Sequence, residues 1–295
     1  MKQVFVVALS ALVLTGYTAQ GQKNRTGRKL VWSDEFNGTG MPDPAKWGFE
    51  EGMPRGVQRQ YYTANRQENA KVENGYLVIT ARKEDFANPK YKLQAAKGTA
   101  AYPEAYRKMG ADSVPAHIRL KYDPVIHYTS ASVTTKGKAS WKYGRIEIKA
   151  KLPAGKGSSC AVWMLSENAA VPWPQSGEID IVEALGRAPG HVSSAVHYAG
   201  AQKEHLQDNK HLDVPGSNTG FHVYAIEWNA DRIDFYCDDN KYHSFELNKT
   251  NPPDCFQQPF YLIMNIALGS GDWSGPVDDK ALPQQMMIDY VRVYQ

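Results

Sequence analysis

Three acids crowd into the run Ser176-Gly177-Glu178-Ile179-Asp180-Ile181-Val182-Glu183-Ala184. Side chains on a strand alternate faces, so Glu178 and Asp180 share one face while Ile179 and Ile181 take the other. Strict alternation would put Glu183 with the isoleucines, where an unpaired carboxylate is costly to bury. One extra residue near Ile181-Val182 resolves the conflict: a bulge there returns Glu183 to the face of Glu178 and Asp180. The two glutamates are then four strand steps apart, about 13 Å between Cα atoms. Side chains leaning toward each other close most of that gap.

Paired carboxyl groups at such a distance suit cleavage of a sugar–sugar bond. A retaining glycosidase holds its two carboxyls about 5–5.5 Å apart and an inverting one about 6.5–9.5 Å apart. The spacing here permits the first. One glutamate must be ionised to attack the anomeric carbon, and the other must carry a proton for the leaving oxygen. Asp180, between them, can hydrogen-bond the attacking group and keep a negative field that raises the pKa of the acid. A merely solvated acidic face is the rival explanation, but three like charges along one strand repel and need a compensating reason.

The elements around this run are strands. Alternation is clear in Tyr76–Ala81, Gly144–Leu152, Val223–Trp228, Arg232–Cys237, Phe260–Asn265 and Met287–Tyr294. Turn residues separate them, as in Glu73-Asn74-Gly75 and Asp238-Asp239-Asn240. Many strands, few helical patterns and no long linker predict an all-β sandwich. The stretch from Asp85 to Asp123 breaks the alternation and is expected to lie over an edge of the sandwich, shaping a cleft.

The chain has 295 residues, 34 basic against 31 acidic, and no basic block, which argues against a nucleic-acid partner. Met1-Lys2-Gln3, an apolar run from Val4 to Leu14 and Ala19-Gln20-Gly21 follow the order of a secretory signal, so residues 1–21 are expected to be a signal peptide and 22–295 one catalytic domain. The apolar run is too short to span a membrane. A secreted, periplasmic or cell-surface monomer is expected. A lipid anchor would need a cysteine where the chain has Tyr17. Cys160, Cys237 and Cys255 allow at most one disulfide, Cys237 and Cys255 being the nearer pair, and buried thiols are the simpler expectation.

Taken together, these residues resemble glycoside hydrolase family 16, in its laminarinase-like branch. The resemblance covers nearly the whole mature chain: Val31-Trp32-Ser33-Asp34-Glu35-Phe36-Asn37-Gly38, Gln60-Tyr61-Tyr62-Thr63, Tyr143-Gly144-Arg145-Ile146-Glu147, the bulged signature from Gly177 to Glu183, Val196-His197-Tyr198, the run from Phe221 to Trp228, and Asp289–Tyr294. It implies a concanavalin-A-like jelly roll of two curved antiparallel sheets and a retaining, endo-acting double displacement. Glu178 would be the nucleophile, Asp180 its helper and Glu183 the acid/base. It further implies substrate contacts for Trp173, His197, Trp163, Asn265 and Trp273. No cofactor is implied beyond a structural calcium ion, for which Glu35 and Asp289 match side-chain ligands.

Two departures bear on the substrate. Glucan-cleaving members carry Asn-Asn-Glu where this chain has Gly56-Val57-Gln58, and Trp-Pro-Ala where it has Ser159-Cys160-Ala161. Loss of a tryptophan removes a stacking wall and leaves room for an axial hydroxyl. A β-1,3- or mixed-linkage β-glucan is the first substrate expected. Alternatives are a galactan or N-acetyllactosamine-type chain cut by an endo-β-galactosidase, and, more distantly, a sugar-binding protein without catalysis.

Overall fold

The computed structural model describes residues 27–91, 108, 114–250 and 253–295. The expected signal peptide lies outside them. Seventeen strands among the described residues, β1 to β17, form two sheets. In the first, the order is β15 (Asn240–Glu246), β14 (Arg232–Cys237), β13 (His222–Trp228), β8 (Gly144–Lys151), β17 (Gln284–Tyr294), β5 (Tyr76–Ala87), β6 (Val125–Ser130) and β3 (Tyr61–Tyr62). β1 (Leu30–Asp34) adds to β17 and β4 (Ala70–Glu73) to β5. The second sheet runs β12 (His205–Asp213), β11 (His191–Ala199), β10 (Glu178–Leu185), β9 (Ser158–Ser166), β16 (Phe260–Leu268), β7 (Ser132–Thr134) and β2 (Gly48–Glu50). Pairing is antiparallel throughout except for the short parallel contact of β3 with β6. All six strands expected from alternation are present, with β5, β16 and β17 each running at least three residues beyond their sequence signals.

One apolar core joins the sheets. Ile146, Ile148, Ile226 and Val291 of the first sheet pack with Ile179, Ile181, Val182, Met164 and Leu262 of the second. At the β12 end the sandwich is stitched by His243 of β15, which bonds Ser194 of β11 at 2.8 Å and Asp208 of β12 at 3.1 Å. The three cysteines are buried and not in a disulfide.

The segment after β5 is only partly described. Its described end forms a helix, α1 (Ala116–Tyr122), where alternation had suggested none. Ala116 and Leu120 pack with Met53, Tyr61, Phe86 and Ile126. Arg119 donates to the backbone carbonyls of Val57 and Gln58. The helix therefore buttresses the loop at residues 52–59, which borders the acid strand's open face.

Register across the second sheet aligns residues of seven strands into rows. One row reads Glu50, Ser132, Asn265, Ala161, Glu183, Ser193, His211; the next carries Ile263, Trp163, Asp180 and Ala195. These rows form the floor of the cleft.

Candidate active site

The acid strand β10 is bulged. Against β9, Asp180 faces Trp163 and Val182 faces Val162, so Ile181 is the extra residue. Glu178, Asp180 and Glu183 consequently lie opposite Leu165, Trp163 and Ala161, alternate positions of an unbroken strand. All three acids share one face, four partner steps from first to last, about 13 Å between the outer Cα atoms. The opposite face sends Ile179, Ile181 and Val182 into the core, each at most 1% exposed. Burial of that kind stabilises by about 1.5–3 kcal/mol per side chain, and the reverse face would lose it while burying carboxylates instead. Glycines flank the strand. Gly177 has a φ of 78°, and a Cβ there would stand 2.9 Å from the Phe256 ring.

Glu178 and Glu183 remain partly open to the cleft, while Asp180 is 2% exposed. Donor atoms of Glu178, Asp180 and His197 lie within 4.8 Å of one another. Burial pushes the Glu178 carboxyl upward, but the His197 imidazole, a hydrogen bond from the Trp173 indole, the Arg55 charge and a hydrogen bond from Asp180 oppose it. Asp180 is held well above the usual carboxylate range by burial, by the Glu178 charge and by hydrogen-bonding to Glu178. Glu183 is likewise pushed well up, by burial and then by the charges of Asp180 and Glu178, against weaker opposition from His197 and Ser193. The environments separate the two glutamates. Glu178 has two hydrogen-bond donors and the Arg55 guanidinium favouring its ionised form, whereas the surroundings of Glu183 favour its protonated form.

The other expected contacts fall into two groups. Trp173 is 49% exposed and reaches Glu178; Trp273 is 43% exposed and lines the cleft with the three acids. His197 places Nε2 3.1 Å from Asp180 Oδ2. Trp163 and Asn265 also line the cleft but are mostly covered, 6% and 5% exposed. Trp163 Nε1 donates to Asn265 Oδ1 at 2.8 Å, and Asn265 Nδ2 donates to Tyr62 at 2.9 Å. A guanidinium, that of Arg55, sits 4.6 Å above the Trp163 ring. The ring face that could have stacked on a sugar is thus already occupied, and Trp163 acts as a floor beneath Arg55.

Arg55 is a cleft residue that motif reading did not single out, and Gln58, noted only as a departure from the glucan-cleaving pattern, lines the cleft beside it. Arg55 Nη2 donates to Glu50 at 2.5 Å, and Ser132 holds the same carboxylate at 2.5 Å. Gln58 Oε1 accepts from Gln60 Nε2 at 2.8 Å. Arg55 Nη1 and Ser159 Oγ are buried at the cleft without a hydrogen-bond partner.

Glu35 and Asp289, matched to a calcium site, are arranged otherwise. Glu35 accepts two hydrogen bonds from Arg292, at 2.9 and 2.7 Å, and Asp289 pairs with Lys149 at 2.6 Å. Each carboxylate is occupied by a side-chain cation, so this donor set does not fit a shared metal ion. His222, Cys237 and Asp238 cluster within 4.8 Å elsewhere. There His222 and Asp238 bond each other at 2.6 Å, and burial pushes the Cys237 thiol up to about 12. That is a hydrogen-bonded pair at the ends of β13 and β14 beside a neutral thiol.

Comparison with known proteins agrees with this geometry. The sequence model of glycosyl hydrolases family 16 matches residues 57–292. A beta-glucanase of Rhodothermus marinus is 39% identical over 283 residues, covering 90% of this chain and 85% of that protein. The X-ray structure of the laminarinase from Rhodothermus marinus superposes with a TM-score of 0.72, covering 91% of this chain and 97% of its own. A structure described with endo-acting O-glycanases of human gut bacteria that initiate mucin breakdown is 35% identical, with a TM-score of 0.77 and 92% of each chain covered.

Proposed function

The chain belongs to glycosyl hydrolase family 16, and from that membership we propose that it is an exported, retaining endo-hydrolase of β-1,3-linked glucan. The bulge at Ile181 carries this reading, because it turns Glu183 to the face of Glu178. Ionised Glu178 attacks the anomeric carbon as Glu183 gives its proton to the departing glycosidic oxygen. The C–O bond breaks and a glycosyl ester of Glu178 forms. Glu183, now a carboxylate, takes a proton from water, whose oxygen attacks the same carbon and frees Glu178. Asp180 hydrogen-bonds Glu178 throughout.

The similar beta-glucanase and laminarinase favour β-1,3-glucan as substrate. A galactose-configured chain is a second reading, favoured by one feature of the cleft. Its wall at Ser159, Cys160, Ala161 and Ala267 is small, and Ser159 Oγ and Arg55 Nη1 lack partners there. A hydroxyl standing off the ring plane finds donors at that wall, which carries no aromatic ring of its own. Incubation with laminarin, mixed-linkage β-glucan, agar-type galactan and mucin glycans, with products sized over time, separates the readings. Mid-length fragments from laminarin support the first; fragments from galactose chains alone support the second. NMR of the first-released anomer should show the β form, and an initial α product would refute retention.

A further inference from the structure

Two side chains grip the Glu178 carboxyl, and both lead to His205. Trp173 donates to Glu178 from one side, and its indole lies 4.6 Å from the His205 ring. From the other side Asp180 hydrogen-bonds Glu178, and Asp180 Oδ2 lies 3.1 Å from His197 Nε2. His197 Nδ1 is in turn 2.8 Å from His205 Nε2, the two rings 5.0 Å apart and inclined 24°. The contacts close a circuit: Glu178, Trp173, His205, His197, Asp180, and back to Glu178.

We propose that His205, on the edge strand β12, is a positioning residue that fixes the His197 ring and, through Asp180, holds the nucleophile Glu178 ready to attack. Proton placement in the circuit has one consistent direction. Asp180 retains its proton and donates it to Glu178, so Asp180 Oδ2 is an acceptor and His197 Nε2 carries a hydrogen. His197 Nδ1 then bears a lone pair, which requires Nε2–H of His205 as donor. Donors are thus directed from His205 to His197, from His197 toward Asp180 and from Asp180 to Glu178, all favouring a carboxylate at the end of the chain. Burial pushes the His205 imidazole below its ordinary value, the direction that favours the neutral ring this circuit requires.

Alignment makes the device sensitive. His197 Nε2 and Asp180 Oδ2 stand 3.1 Å apart, yet Asp180 Oδ2 has no hydrogen-bond partner. A small rotation of the His197 ring therefore makes or breaks the link, and His205 restrains that rotation. The groups that face Glu178 are His197 of β11, Asp180 and Glu183 of β10, Arg55 of the 52–59 loop and, more remotely, Tyr261 of β16. Beside His205, the Glu204 carboxylate is turned back to accept from the Gln202 backbone N–H at 2.9 Å.

This inference rests on Glu178 being the nucleophile, so Glu178→Gln is assayed in parallel; activity surviving in that variant would overturn the assignment itself. His205→Phe keeps a ring against Trp173 but cannot donate to His197. It should lower kcat about tenfold, or about 1.4 kcal/mol, with KM within about twofold. The acidic limb of its kcat profile should move to higher pH, because Glu178 loses part of what stabilises its charge. His205→Gln, which retains a donor amide, should recover most of the rate and the wild-type limb. An unchanged acidic limb in His205→Phe, or equal losses in Phe and Gln variants, would overturn the proposal. Should His205→Phe fail to fold, nitrogen NMR of the wild type decides: His197 carrying its hydrogen on Nδ1 instead of Nε2 refutes it.

Discussion

Removing the proposed acid/base separates its two tasks. Glu183→Gln keeps the side-chain shape and its neighbour Ser193 but has no proton to give. General acid–base transfer is worth about 10²–10⁴-fold, or about 2.7–5.5 kcal/mol of barrier. Glu183 should lie toward the upper end, since burial and two flanking carboxyls hold its proton firmly. On polysaccharide the variant should therefore lose about three to four orders of magnitude in kcat/KM. On an aryl glycoside with a dinitrophenolate leaving group, bond breaking needs no proton, so formation of the Glu178 ester should proceed near the wild-type rate. The ester should then accumulate, visible as a burst of phenolate and as added mass on the protein. In Glu183→Ala, azide entering the vacated volume should speed turnover and yield a β-glycosyl azide. An α-azide, or identical losses on both substrates, would refute the assignment of Glu183 and the two-step mechanism built on it.

The wild-type pH–rate profile should be bell-shaped. Its acidic limb should mark ionisation of Glu178, raised by burial, and its alkaline limb deprotonation of Glu183, raised further by burial and the neighbouring carboxyls; a flat profile from acid to mildly alkaline pH contradicts this. Stability should respond in the opposite sense to activity. The folded-state pKa of Glu183 is raised above its unfolded value, so the folded protein loses stability as pH rises past the unfolded carboxyl's pKa. Glu183→Gln should thus melt higher than wild type at pH 7, with the difference vanishing well below pH 4, as differential scanning calorimetry would reveal. Arg55→Met should uncover the Trp163 face and remove an unpartnered donor, raising KM for the favoured substrate about tenfold with a smaller change in kcat. A KM unchanged on every polysaccharide would place Arg55 outside the substrate's reach.

The acid strand was readable because two demands collide in it. Isoleucines at 179 and 181 require one face to be buried, and a glutamate at 183 requires that face to be left, so a bulge is the economical solution. Long alternating strands such as β8 and β17 announced themselves the same way. β12 did not. Its sequence His205-Leu206-Gln207-Asp208-Asn209-Lys210-His211-Leu212-Asp213 lies at an edge, almost wholly exposed, and carries no buried face to write an alternation. His205 was invisible for that reason. Arg55 sits in a loop whose position depends on Arg119 of a helix about sixty residues later, so no local pattern marks it. Trp163 was readable as a cleft-floor tryptophan, but its covering by Arg55 is a tertiary event. Glu35 and Asp289 were matched by family position alone, and the nearby Arg292 and Lys149 that occupy them became apparent only with the fold.

The rows of the second sheet also act as a ruler. Glu178 and Glu183 stand fore and aft along β10, so a sugar bond held between them belongs to a chain that crosses the strands. Neighbouring strands are about 4.8 Å apart, comparable to the advance of one pyranose along an extended glycan. Each strand crossed thus corresponds to about one sugar site. From β10 there are two strands to one edge, about 10 Å, and four to the other, about 19 Å. The trough is lopsided, and fragments released early in digestion should carry a minimum length set by counting strands.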